Sequence, residues 1–439
     1  MTNQALPGWC WLWTRFAGLV LAGALCASAS AQPLPLPEDP HVELLPEERL
    51  SFPLAEESIR VEPYGSLRGN MYYSSSRTNP GSFTVWVFSD ETQGEAQFEI
   101  DVRRSRIGAH ILGPEIELGL EEYSSSGRVE IDFLGQFLTE NRASPRLRHV
   151  YWELQSESHR FLVGQTDDVI SPLLIGMLNF TLGRGGGNIG FRRAQFRAEQ
   201  TIPLEGDTKL LLQESLNQDI IDDFPAEPGI RRETANWPVI EGRAAILFPA
   251  PGDAERTATI GLSGHVGETG FDFLAAGPPP LNLPPQDDVR LKTWSINLDA
   301  EIPLSPALTL RGELFRGANL SPFFGGIGQG VCPCLRVPIH SEGGWIELAM
   351  QLSPRLESHI GFGIDDPEDE DSLLGRVQNS FVFGNLILQV TDELSTGVEI
   401  AFWRTLYHDR RVGMIPAALI TPRTPGEAIT LDWMVRYDF

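Results

Sequence analysis

The chain is almost without lysine. Lys209 and Lys292 are the only two, so arginine makes up the rest of its 34 basic residues. Arginine keeps its charge in any surroundings and offers a planar fork to carboxylates and phosphates, which suits a pore wall; a GC-rich coding sequence would produce the same bias. Basic residues of either kind are outnumbered by 59 acidic ones, a formal charge of -25, or -26 once Arg15 leaves with the leader described below. Such a surface repels nucleic acid, which is excluded as a partner. Cysteine is scarce as well. Of the four, Cys10 and Cys26 lie in the leader, and the remaining pair, Cys332 and Cys334, forms a small disulfide or stays reduced. Two such residues do not complete a zinc site, and no metal or other cofactor is implied. After residue 31 no apolar run approaches the roughly 18 residues of a membrane helix, which excludes a helical membrane protein.

The leader is residues 1–31. Arg15 precedes an apolar run from Phe16 to Ala27, and Ala29-Ser30-Ala31 has the small-residue pattern of a cleavage site, so the mature chain is expected to begin at Gln32. Leu25 stands before Cys26 where a lipoprotein has a small residue, so no lipid anchor is expected. Residues 32–63 hold no strand pattern: QPLPLPEDP is extended and HVELLPEERL suits a short helix, together a proline-rich periplasmic extension. Export without membrane helices leaves the periplasm, the outer membrane or the medium. A mean hydropathy of -0.13 looks soluble, but half of every strand in a membrane barrel faces water.

From 64 to 439, period-two segments of about ten residues recur. The last, LDWMVRYDF, alternates Leu431, Trp433, Val435, Tyr437 and Phe439 with polar positions, a pattern that a soluble sandwich strand also shows. Trp433 and Tyr437 suit the headgroup level, and the terminal Phe439 resembles the end of Gram-negative outer-membrane barrels, which the barrel assembly machinery reads. In AQFEIDVRRSRIGAHI the apolar parity changes between Val102 and Ile107, which predicts a β-bulge near Arg103 to Ser105. Short links at 202–207, 250–255, 302–306, 353–354 and 391–393 alternate with long ones at 218–239, 267–288, 318–341, 365–376 and 408–427. Barrels in the outer membrane have this asymmetry of tight periplasmic turns and long outer loops. The fold predicted is all-β, a transmembrane antiparallel barrel of about 16 strands with both termini in the periplasm. That count forces residues 115–127 to be an elaborate periplasmic turn.

The connection 167–189 carries Asp167, Asp168, VISPLLIGMLNF and GRGGGNIG, too much apolar surface for a loop in water, so it is expected to fold into the lumen. SRIGAHILGP, RLRHVYWEL, FLVGQTDD and FRRAQFRAEQ, in this order and spacing, resemble the DcaP-like porins over most of 64–200. Residues 201–427 agree only in rhythm. The resemblance implies a trimeric diffusion channel of the cell outer membrane, seated in lipid and lipopolysaccharide, whose constriction loop favours small anionic solutes. Its departure is at 32–63, too short and proline-broken for a periplasmic coiled coil.

Arginines of the first six strands, neighbours in a barrel closed in chain order and several of them of inward parity, are nominated as pore-lining: Arg68, Arg104, Arg106, Arg128, Arg146, Arg148, Arg193 and Arg197, facing Asp167 and Asp168. Arg128 and Arg193 are the clearest; Arg104 sits in the bulge. Alternatively these arginines pair with Glu130, Asp132 and Glu199 and only stiffen the wall. Other motifs carry less. Gly185-x-Gly187-x-x-Gly190 lacks the βαβ unit of a dinucleotide site, and DDPEDED (365–371) lacks the glycine of a calcium loop. His408-Asp409 has no nucleophile beside it, so no enzyme is expected. An outer-membrane hydrolase, or an adhesin using loop 318–341, remains the alternative to a channel.

Overall fold

A computed structural model describes residues 52–54, 59–90, 94–119, 121–135, 143–220, 230–277, 281–372, 375–408 and 424–439. The leader, most of 32–58 and Asp409 lie outside the described residues. Among the described residues, the short strands Phe52–Leu54 and Ile230–Glu233 add to one closed antiparallel sheet formed by sixteen long strands. They are β1 (Ile59–Ser74), β2 in two pieces (Gln97–Asp101 and Arg106–Leu118), β3 (Glu121–Asp132), β4 (Arg146–Gln155), β5 (His159–Asp167), β6 (Arg192–Pro203), β7 (Lys209–Asn217) and β8 (Val239–Ala250). The second half comprises β9 (Asp253–Phe273), β10 (Gln286–Ser305), β11 (Leu308–Ala318), β12 (His340–Ser353), β13 (Leu356–Pro367), β14 (Arg376–Gln389), β15 (Leu394–Tyr407) and β16 (Gly426–Asp438). Each pairs with the next, and β16 closes the ring on β1 from Ser66↔Asp438 to Ser74↔Thr430. No sheet edge is left facing lipid, where an unpaired backbone N–H or C=O would cost several kcal/mol. Residues of one parity carry the apolar outer face: Leu67, Phe98, Ile100, Phe196, Leu262 and Ile296 are all more than half exposed. The opposite parity is polar and buried, including Asn70, Glu130, Asn297 and Asp299.

The bulge is where the parity change placed it. Asn70 faces Asp101 and Ser66 faces Arg106, so four residues, 102–105, lie opposite the three between them on β1. The Arg68 N–H fills the gap by donating to Ser105 Oγ at 3.0 Å. The kink sends Val102 to lipid and turns both Arg103 and Arg104 inward.

Three expectations need correction. Residues 115–127 are not an elaborate turn: β2 and β3 run on, pairing Leu118 with Glu121 beside Gly119, whose φ of +69° turns the chain. The apolar–polar alternation used to find strands exists only where one face meets lipid, and this hairpin extends beyond the barrel's closing strand into the aqueous side. The same reason hid the outer ends of β9 and β10, whose Phe273↔Gln286 pairing lies inside the stretch expected as loop. Likewise β1 starts at Ile59, ahead of the expected boundary at 64. Because β16 stops opposite Ser66, Pro63 lies on an edge, where a proline is tolerated.

Phe439 completes the closure. The Gly65 N–H donates to its carbonyl at 2.9 Å, and its own N–H donates to the Gly65 carbonyl at 3.0 Å. Its ring lies against Gly65, so that a Cβ there would stand 2.6 Å from the ring. Trp433, Tyr437 and Phe439 are each close to half exposed on the outer face. Deleting Phe439 removes both bonds, and we expect less barrel in the outer membrane with undiminished export; quantitative fractionation checks this, and normal insertion refutes the role. A second expectation is topological. Tags within 274–285 or 368–375 should be labelled on intact cells and a tag between Ser353 and Pro354 should not, and labelling at Ser353 would invert the orientation.

Candidate functional site in the barrel lumen

Five backbone N–H groups of the connection between β5 and β6 point at the wall, and each meets a carboxylate. Val169 donates to Glu241 on β8 (2.7 Å), Leu173 to Glu313 on β11 (2.8 Å) and Gly176 to Glu347 on β12 (2.7 Å). Leu178 and Asn179 both donate to Glu399 on β15, at 2.6 and 3.1 Å. Taken in order, these bonds carry the connection along the inside of the barrel from β8 to β15. The Leu178 carbonyl then accepts from Arg104 (3.0 Å) and Arg68 (3.3 Å), reaching the bulge and β1. Asp168 ties the ends together: its buried carboxylate accepts two N–H groups of Arg193, at 2.7 and 3.0 Å, and the Phe191 N–H at 2.8 Å. A hydrogen bond of this kind contributes about 0.5–1.5 kcal/mol net, and a buried N–H left without its acceptor costs about 1–3 kcal/mol, so this is a fastened segment.

Apolar packing supplies the rest. Ile175 and Met177 bury against Trp345, Phe381, Phe383 and Trp403, all inward-facing, and against Val87 of the first outer loop. Ile170 and Ile189 pack with Phe315, Leu320 and Phe323, the last two from the loop 319–339. In place of a wholly polar lumen, the β8–β15 side is a hydrophobic core. The sequence hint is SFVFGNLIL, apolar on both parities, as in strands buried on both faces. The glycine motif serves the same packing. Gly187 has φ +122°, and a Cβ there would lie 2.2 Å from the Gly344 carbonyl oxygen.

The opposite wall is basic. Glu130 accepts from Arg128 (2.7 Å) and Arg148 (2.7 Å) and lies 3.5 Å from Arg106; Asp132 accepts from Arg146 (2.5 Å) and Arg148 (2.9 Å). Arg146 and Arg104 also sit over the ring of Phe180, 5.5 and 5.3 Å from its centroid. Arg197 holds Gln195 at 2.9 Å and Glu199 at 3.4 Å. Asp167 is half exposed and lies 3.4 Å from Arg192. Contrary to the parity reading, Arg193 does not face the solute path: it is 2 % exposed, locked to Asp168, with Phe323 stacked 3.9 Å from its guanidinium. The inward loop covers this arginine instead of leaving water between them.

Beside Arg103, which the bulge turns inward onto Asp101 at 2.9 Å, three arginines near the basic wall escape the parity reading. Arg184 is on the loop, Arg192 opens β6 before the alternation is established, and Arg436 belongs to the closing strand; all three lie within electrostatic reach of the basic wall. The four glutamates that hold the loop escape it too, although each stands at an inward position in a strand, as Glu241 does just before GRAAIL and Glu347 does in WIELAM.

Two polar clusters elsewhere have no catalytic arrangement. Ser158 Oγ and Glu121 both approach the same nitrogen of His159, Nδ1, at 3.0 and 3.1 Å, so no relay through the two ring nitrogens is formed. In the acidic 365–371 stretch, Asp365 accepts from Ser341 (2.6 Å) and the Ile327 N–H (3.0 Å), a structural use.

No protein-family model matches the chain, and no curated protein does. Solved structures do. The outer-membrane channel DcaP of Acinetobacter baumannii superposes with a TM-score of 0.66 at 18% identity, covering 89% of this chain and 100% of that one. The anion-selective porin from Comamonas acidovorans gives 0.53 at 12% identity, covering 87% and 100%. The trimer form of OmpT from Vibrio cholerae gives 0.50 at 8%, covering 87% and 100%. The chain therefore has the transmembrane β-barrel fold of outer-membrane porins.

Replacing Glu399 by alanine strips two loop N–H groups of their acceptor, at about 1–3 kcal/mol each. We expect a lower thermal transition and a higher, noisier single-channel conductance, with Glu399→Gln intermediate. Unchanged conductance and stability in Glu399→Ala would show that the loop does not hang on this carboxylate.

Proposed function

We propose that the chain is an outer-membrane porin, a passive channel for small hydrophilic solutes with a modest preference for anions such as carboxylates. The observation that carries this reading is the imbalance on the wall facing the loop. Arg68, Arg103, Arg104, Arg106, Arg128, Arg146, Arg148, Arg184, Arg192 and Arg436 are neighbours there, against Asp101, Glu130, Asp132, Asp167, Asp432 and Asp438. The ion pairs hold the fans of guanidinium groups in place without neutralising them all, and the surplus positive charge replaces part of an anion's hydration as it passes. The loop narrows the path from the far side, so the solute meets the arginines at close range. The strongly acidic chain opposes this at the outer mouth, but salt screens exposed charge beyond about 8 Å.

The neighbours named above extend the proposal to a homotrimer embedded in lipid and lipopolysaccharide, inserted by the barrel assembly machinery. A hydrolase reading has no nucleophile and base correctly placed among the described residues.

Arg106 and Arg146, less buried than Arg128 and Arg148, are the residues to change. Two unit charges 4 Å apart interact by about 1 kcal/mol in a water-like dielectric, so Arg106→Gln with Arg146→Gln should lower the anion-to-cation permeability ratio several-fold. Reversal potentials across a salt gradient measure it. Arg193→Gln, behind the loop, should leave the ratio alone and lower thermal stability. No shift in the double variant would place the selecting charges elsewhere.

A further inference from the structure

We infer that Cys332 and Cys334 form an intraloop disulfide in the exported protein. They lie in the outer loop between β11 and β12, in a small hairpin whose arms are Val331–Cys332 and Val337–Pro338. The turn between them is tight, with the Arg336 N–H donating to the Cys332 carbonyl at 2.7 Å. It brings the two sulfur atoms to 2.9 Å, against a bond length of about 2.05 Å. Pro333, whose ring fixes one backbone dihedral, stands between them and holds the pair in register.

The surroundings determine when the bond forms and what it does. Cys332 is fully buried and Cys334 3 % exposed, packed with Ile339 and the partly buried Leu335 and Val337. A thiolate is disfavoured in such an apolar cluster and an oxidant has no path to it. Oxidation therefore precedes packing of the loop, during export, by exchange with a disulfide oxidant of the periplasm. One cysteine thiolate attacks that disulfide and expels one of its sulfurs as a thiol. The second cysteine thiolate then attacks the mixed disulfide, forming Sγ–Sγ and releasing the other sulfur. Two electrons and two protons pass to the oxidant, which leaves as two thiols. Once folded, the same burial protects the disulfide from reductants.

The bond closes the base of a structured outer element. Next to the cysteines, Arg336 stacks 4.5 Å from the Phe273 ring and donates to the Leu283 carbonyl at 3.2 Å, joining this loop to the one between β9 and β10. Upstream in the same loop, Phe323 and Phe324 offer their carbonyls to the N–H groups of Gly190 and Gly185, at 2.8 and 3.0 Å. A disulfide here therefore stiffens the outer buttress of the inward loop.

The test uses the full-length protein purified from outer membranes. Trypsin cuts after Arg316 and Arg336, so one peptide, GANLSPFFGGIGQGVCPCLR, holds both cysteines. After denaturation with iodoacetamide and no reductant, this peptide should be unalkylated and two hydrogens lighter than the dithiol. Prior reduction of the unfolded chain should yield two carbamidomethyl groups, whereas reductant applied to the folded barrel should yield none. Two carbamidomethyl groups without any reduction, or a disulfide linking two chains, would overturn the inference.

Discussion

Every backbone N–H and C=O placed inside a membrane must find a partner within the protein, and the architecture of the barrel follows from that requirement. It closes the sheet, since β16 can satisfy its outer edge only on β1, and it takes the last residue of the chain to finish the job against Gly65. The same requirement reappears inside the barrel. A segment that leaves β5 and crosses the lumen forms no ladder, so its N–H groups need acceptors from the wall. Glu241, Glu313, Glu347 and Glu399 provide them, one after another around the inner surface.

Placing that segment divides the interior. On the side it covers, apolar residues from the loop and from β12, β14 and β15 pack as in a soluble core, and the barrel there is solid. On the uncovered side, β1 to β4 present arginines that outnumber their carboxylates. The division explains why Arg193 and Arg128, equivalent by sequence parity, end in different surroundings: one is buried by the loop and bound to Asp168, the other faces Tyr64 and Glu130 on the basic wall. The alternative use of these arginines, as stiffening pairs, is present in the structure too. Arg148 bridges Glu130 and Asp132, and such a bridge fixes the positions of its neighbours, while Arg68 and Arg184 spend their hydrogen bonds on Asn70 and on the carbonyls of Leu178 and Gly190.

Strand number, closure order, bulge and terminal strand are all legible in the amino-acid sequence. They depend on a lipid face of period two and on the lengths of links, both of which are local properties of the chain. Legibility ends where that face ends. The ends of β2, β3, β9 and β10 carry no alternation because water is on both sides, and β14 has little because Phe381 and Phe383 are apolar toward the lumen as well.

For the site, composition and parity alone identify an arginine-rich wall on the first strands and an apolar connection that has to fold inward. Which arginines that connection covers, and which glutamates hold it, are decided by tertiary structure. Parity states only that a side chain points inside. Whether it then meets water, a carboxylate or a loop depends on contacts between residues far apart in the chain, 221 positions for Leu178 and Glu399 and 318 for Val87 and Thr405. Such contacts are set by the path of the loop through the barrel, and no local pattern in the chain encodes that path.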